Sequence, residues 1–183
     1  VRLKRSDFSC LVSLECIIMT EEIFPIVNAD GEVIGSATRT ECHAGTFKLH
    51  PVVHLHIFNS AGELYMQKRV MTKKIQPGKW DTAVGGHVDY GEQIEEALLR
   101  ETREELGVTD FKPEFIMKYQ FRSSIEAELV YIYRCTYDGV FQPDPLEVEE
   151  GRFWSLDEIR NNIGKNIFTP NFESEIEKLG WLK

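Results

Sequence analysis

Between Gly85 and Val108 the chain reads GGHVDYGEQIEEALLRETREELGV and carries Asp89, Glu92, Glu95, Glu96, Glu101, Glu104 and Glu105. Like charges one helical turn apart repel. This segment must therefore be neutralised by the rest of the chain or hold something cationic. In helical projection Glu101, Glu104 and Glu105 fall at i, i+3 and i+4, so all three meet on one face. Carboxylates grouped in this way suit Mg²⁺ or Mn²⁺, which take oxygen ligands. Arg100 precedes Glu101 and lies four residues before Glu104, close enough to orient one of them by a charge-assisted hydrogen bond. Gly85-Gly86 lets the backbone approach a ligand closely, and the Gly86 carbonyl offers a further metal oxygen. A Glu-rich helix is also commonly a solvated face laced with i,i+4 pairs. Spacing alone leaves both readings open.

A second group of side chains is the histidines, His43, His50, His54, His56 and His87, which all precede the carboxylate helix. Val52 to Ile57 alternates, so His54 and His56 share one strand face, as core-facing or cross-strand residues. Lys68, Arg69, Lys73, Lys74 and Lys79 surround the turn before the double glycine. They could receive phosphate, or serve only to solubilise an exposed loop.

The elements that must position these groups are legible in outline. Phe24–Val27 and Glu32–Ile34 read as strands around the turn Asn28–Gly31, and residues 38–51 as a loop or short helix. Val52–Phe58 and Glu63–Lys68 read as a hairpin, Trp80–Val84 as a strand, and Glu92–Leu106 as the clearest helix, stopped by Gly107. Strands follow over Phe115–Phe121, Glu128–Tyr137 and Glu147–Trp154. Ser155-Leu-Asp-Glu158 is a capping box opening a helix to about Ile163. A last helix starts near Pro170 and buries Phe172, Ile176 and Leu179.

At 183 residues the chain suits one core, and its net charge of −9 argues against general affinity for a nucleic acid polymer. A small anionic substrate remains open if a divalent cation mediates the contact. Cys10, Cys16, Cys42 and Cys135 are scattered without a CxxC pair, so a reducing, cytoplasmic setting is expected rather than a disulfide framework. No apolar run approaches a membrane span. Residues 1–19 mimic a signal peptide, but Asp7, Ser9, Ser13 and Glu15 break the apolar stretch. They read instead as an N-terminal extension, with Met19 as a start.

The acidic segment resembles the Nudix box, Gly-x5-Glu-x7-Arg-Glu-U-x-Glu-Glu-x-Gly-U, where U is a bulky aliphatic residue. Gly86, Glu92, Arg100, Glu101, Glu104, Glu105, Gly107 and Val108 match in register, and Thr102 departs from the aliphatic position. The resemblance implies a Nudix hydrolase: an α/β/α sandwich around a mixed β-sheet over residues 20–183, cleaving a nucleoside diphosphate linked to another moiety or a related small-molecule diphosphate. It implies Glu104 and Glu105 as Mg²⁺ ligands, Glu101 as ligand or base, and Arg100 and Glu92 as organisers of the box. In such a site metal neutralises the phosphates and a carboxylate takes the proton of water.

The stretch from about Ile23 to Trp154 is also similar to the isopentenyl diphosphate isomerase branch of this superfamily. That enzyme holds a divalent metal through three histidines and two glutamates. His43, His50 and His87 match the histidines, and Glu126 and Glu128 in IEAEL match the glutamates. The resemblance thus implies a second metal site, for which mixed nitrogen and oxygen donors suit Zn²⁺ or Mn²⁺. Glu128 is open between metal ligand, general base and paired surface carboxylate. The isomerase carries a cysteine immediately before the Gly-His step, where this chain has Gly85. Its box is also degraded, whereas every acidic position is kept here. Hydrolysis is the expectation, with an isomerase-like enzyme or a non-catalytic ligand-binding module as the alternatives.

Overall fold

The computed structural model describes residues 21–73 and 75–183, so the N-terminal extension and Lys74 lie outside the described residues. A seven-stranded mixed sheet forms the middle layer, running β5–β4–β3–β8–β7, with β6 also paired to β3 and β9 to β4. Its strands are β3 (Leu49–Phe58), β4 (Leu64–Arg69), β5 (Trp80–Asp81), β6 (Val84–His87), β7 (Glu114–Arg122), β8 (Ala127–Thr136) and β9 (Val148–Trp154). Only β3 and β8 run parallel, and the helix between them, α2 (Ile94–Leu106), supplies the crossover that parallel pairing needs.

The two faces of the sheet are covered by different helices. Ala97, Leu98 and Leu106 of α2 pack on Val53, Leu55 and Ile57 of β3. On the other face α3 (Leu156–Asn162) and α4 (Pro170–Leu179) bury Ile159, Phe172 and Ile176 against Leu64, Met66 and Trp80. This period-2 partition of β3 is what gives an α/β/α sandwich. A separate hairpin, β1 (Ile23–Val27) with β2 (Val33–Thr38), followed by the short helix α1 (Arg39–Cys42), encloses Phe24, Ala37 and Cys42. Among the described residues no helix is long and apolar enough to cross a membrane.

One expected hairpin is different in kind. β3 and β4 share only the pairs Ile57↔Tyr65 and Phe58↔Leu64 before they diverge. Into the opening comes the segment expected as a single strand over Trp80–Val84, which breaks in two. β5 pairs with β4, and β6 pairs with β3 from Val52↔His87 to Leu55↔Val84. Thr82 holds the break, its hydroxyl donating to the Leu55 carbonyl at 3.1 Å. The splay exposes the ends of both sheet faces to one cleft, where the site is found.

Candidate active site

Helix α2 begins two residues later than the sequence pattern suggests, with Gln93 as N-cap in a capping box with Glu96. Glu92 therefore sits in the turn before the helix, free to face Arg100. The Arg100 guanidinium grips Glu92 with two bonds of 2.9 Å, donates to the His87 carbonyl at 2.9 Å, and reaches Glu101 at 2.8 Å and Glu104 at 3.4 Å. One planar fork thus ties the turn, the helix start and two box carboxylates together. Gly107 ends the helix in a left-handed conformation at φ 67°, where a side chain would be strained. Thr102 is fully buried without harm to the packing, because its hydroxyl donates back to the Leu98 carbonyl at 2.7 Å.

Glu101 and Glu105 turn inward, while Glu104 remains half exposed at 51% of its side chain. Glu105 is buried, and its one side-chain partner is the Gln67 amide of β4, at 2.8 Å. Burial pushes the Glu105 carboxyl up to about 8, against the Gln67 hydrogen bond and with Glu101 adding repulsion. Burial also raises Glu101, although Arg100 opposes it. Arg100 and the Asp89 backbone more than offset burial at Glu92, whose pKa falls. Two inward carboxylates held above their ordinary range form a concentration of latent negative charge that a divalent cation would relieve. The donor set fits Mg²⁺ or Mn²⁺.

The histidine group is assembled from four elements. His43 caps the C-terminus of α1, His50 lies in β3, His87 ends β6, and Glu126 and Glu128 flank the start of β8. His43, His50 and His87 each offer a ligand atom, and those atoms lie within 4.8 Å of one another. His43 Nδ1 engages the Arg39 carbonyl at 2.8 Å and His50 Nδ1 the Lys48 carbonyl at 2.9 Å, an arrangement that turns Nε2 of each inward. His43 Nε2 faces Glu126 at 3.1 Å. Nε2 of His50, Nε2 of His87 and Oε2 of Glu128 are buried with no hydrogen-bond partner. Burial lowers the pKa of His50 and carries His87 well below its usual value, so both present lone pairs. Burial raises Glu128 to about 7, with Glu126 adding and His54 opposing. Phe24 closes the back of the group, stacked 4.4 Å from the His87 ring. Unsatisfied buried donors and acceptors converging in this way fit a bound cation.

Both groups open on one cleft of about 780 Å³. Its lining includes Gly86, Glu101, Glu104 and Glu105 together with His43, His87, Glu126 and Glu128, while His50 is fully buried and does not line it. Of the basic residues singled out as phosphate contacts, Arg69 and Lys73 line the cleft, and Arg39 joins them. Lys68 does not line it: it alternates to the opposite strand face and pairs with Glu149 at 2.7 Å. Arg69 reaches Asp81 at 3.5 Å, and Lys73 pairs with Glu147.

The sequence reading missed two contributors, Gln67 and Glu175. Gln67, the partner of Glu105, is signalled only by a polar residue on an inward strand position. His54 and His56 do face the interior, yet their partner is neither a strand nor a ligand but Glu175 of α4, at 2.8 and 2.6 Å. Burial opposes charge on His54, but Glu175 more than compensates and carries its pKa up to about 9. A visible signal existed, since Glu175 interrupts the apolar stripe of Phe172, Ile176 and Leu179.

The chain and its fold are similar to known proteins. The isopentenyl-diphosphate Delta-isomerase 1 of Photorhabdus laumondii is 28% identical over 158 residues, covering 82% of this chain and 90% of the relative. The crystal structure of DR0079 from Deinococcus radiodurans superposes with a TM-score of 0.76 at 25% identity, over 86% of this chain and 98% of that one. The NUDIX domain of Shewanella oneidensis NrtR, crystallised with ADP ribose, shares the fold with a TM-score of 0.58 at 17% identity, over 71% and 85% of the two chains. The NUDIX domain model matches residues 48–172, from the first residues before β3 through the start of α4, and the chain belongs to the NUDIX family.

Proposed function

We propose that the protein hydrolyses a diphosphate bond, in a nucleoside diphosphate linked to another moiety or a related organic diphosphate, with Mg²⁺ or Mn²⁺. The observation that carries this reading is the inward pair Glu101 and Glu105, fixed by Arg100 and Gln67, opening with Glu104 on a cleft that Arg39, Arg69 and Lys73 also line. Glu101, Glu104, Glu105 and the Gly86 carbonyl are the residues that would hold the ion. Such an ion, when bound, supplies neutralisation of the phosphates and an acidified water. The chain's own residues do the rest. Arg69 and Lys73 receive phosphate oxygens, Arg100 and Glu92 keep the box rigid, and a carboxylate takes the proton of the attacking water. Glu101 and Glu128 are the two candidates for that proton, and pH–rate profiles of Glu101→Gln and Glu128→Gln assign it.

His43, His50 and His87, with Glu126 and Glu128, form a second metal site in this reading, suited to Zn²⁺ or Mn²⁺. The isomerase alternative is disfavoured by Gly85, which offers no group to exchange a proton with an alkene. Isopentenyl diphosphate is therefore expected to yield no dimethylallyl product, and appreciable conversion would reverse the assignment.

The deciding experiment is a screen of nucleotide sugars, dinucleotides, nucleotides and non-nucleotide diphosphates with Mg²⁺ or Mn²⁺, reading product identity. Turnover of one class, lost in Glu104→Gln and Glu105→Gln, supports the reading. Undiminished turnover in both variants refutes the metal role, and no turnover of any compound favours a ligand-binding module.

A further inference from the structure

We propose that His54, braced from behind by Glu175 and uncovered by the missing side chain at Gly85, donates a hydrogen bond to a phosphate oxygen of the substrate. The inference rests on the diphosphate reading above and adds to it a specific contact outside the box and outside the histidine–glutamate group.

Glu175 is fully buried in α4 and accepts from three groups: His54 Nδ1 at 2.8 Å, His56 Nε2 at 2.6 Å and the Tyr119 hydroxyl at 2.9 Å. No lysine or arginine is among these partners. A buried carboxylate of this kind takes its counter-charge from an imidazolium. The two histidines are not equivalent. His56 is sealed, with its other nitrogen 3.4 Å from the Thr82 hydroxyl and its ring edge-on to Trp181. His54 lines the cleft. Its Nδ1 is committed to Glu175, so the ring is fixed with Nε2 on the side away from α4.

Gly85 decides what stands in front of that nitrogen. It lies directly across the β3–β6 ladder from His54. A Cβ at residue 85 would already sit 3.5 Å from His54 Cδ2 and 3.6 Å from Nε2. Any longer side chain there would cover the donor edge. Arg39, Arg69 and Lys73 also line the cleft, each paired with a carboxylate, Glu22, Asp81 or Glu147, that lines it too. His54 differs because the carboxylate it is hydrogen-bonded to lies behind it, in the interior, which leaves its outward nitrogen as a donor to the cleft, where Glu128 and Asp81 add negative charge around it. The arrangement preorganises one donor without the entropy of a long flexible chain.

The test uses the whole chain and inorganic pyrophosphate with saturating Mg²⁺ in every sample, because the carboxylates lining the cleft would repel the bare anion. Binding is read by calorimetry and by the His54 imidazole resonances in ¹⁵N NMR. Wild type is expected to bind and to shift the Nε2 signal. His54→Gln should weaken binding about tenfold or more, equivalent to about 1.4 kcal/mol. Gly85→Val removes none of the side chains bonded to Glu175 and should weaken binding similarly, which keeps the test valid if His54→Gln unfolds. With a turned-over substrate, both variants should raise KM more than they lower kcat. Pyrophosphate affinity unchanged within twofold in both variants, or no binding by wild type, overturns the proposal. The two readings fail separately: loss of pyrophosphate binding in these variants without turnover of any diphosphate by wild type would keep the His54 contact and remove the hydrolase.

Discussion

Gly86 and Glu101 are separated by less than one methyl group: a Cβ on the glycine would stand 2.0 Å from the Glu101 carboxyl carbon. The double-glycine turn is thus shaped around a box carboxylate. Gly86→Ala is expected to push the Glu101 side chain aside while the fold survives, because the obstructing atoms end a flexible chain. Misplacement of a catalytic group by about 1 Å costs on the order of a hundredfold in rate. Steady-state kinetics beside a thermal melt would check this. Wild-type kcat in the variant would show that Glu101 has no positional role.

Glu105 gives a stability signature that needs no substrate. Its folded pKa of about 8 stands above the ordinary 4.5. Between those values the metal-free native protein keeps a proton that the unfolded chain has released. Stability therefore falls as pH rises through this window and levels off above it. Glu105→Gln escapes the loss. In chelator at pH 9 it should exceed wild type by a few kcal/mol, roughly 1.4 per unit of displacement, with the gap closing toward pH 4.5. Saturating Mg²⁺ should raise the melting temperature of wild type more than that of the variant. Parallel pH curves for the two proteins in chelator would remove this account of Glu105.

The histidine group makes a compositional prediction. Protein purified without added metal should carry Zn or Mn by elemental analysis, and His43→Ala should carry less, because one of three converging nitrogens is lost. Equal metal content in both proteins, or none in either, would count against a second site.

Thr102 stands where the box pattern calls for an aliphatic residue. Its hydroxyl satisfies itself on the Leu98 carbonyl, which already belongs to the helix ladder. Thr102→Val should therefore leave activity unchanged and alter stability by no more than about 1 kcal/mol, since no buried partner is orphaned. A large loss on denaturant unfolding would mean that the hydroxyl does more than fill space.

The parts of the site legible in the sequence were those set by local geometry. Helical spacing alone brings Glu101, Glu104 and Glu105 to one face and sets Arg100 beside them, whereas the part played by Glu92 followed only from the resemblance to the box. Contacts between distant segments were not legible in this way. Gln67 reaches Glu105 from another strand, and no spacing rule connects them. Lys68 and Arg69 were grouped by charge, although strand alternation sends them to opposite faces and only Arg69 to the cleft. The strand over Trp80–Val84 was legible as extended chain, but its break follows from the divergence of β3 and β4, a property of the whole sheet. Glu175 was missed, although a charged residue within an apolar stripe announces a buried partner.

The wedge between β3 and β4 has an evolutionary consequence. Because the cleft sits where the sheet parts, its box carboxylates come from α2 and its histidines from the end of α1, β3 and β6, and Arg100 ties the two groups together through the His87 carbonyl. A substitution in β6 that moves His87 is therefore felt at Glu92, Glu101 and Glu104 through one guanidinium, so neither group is free to vary alone.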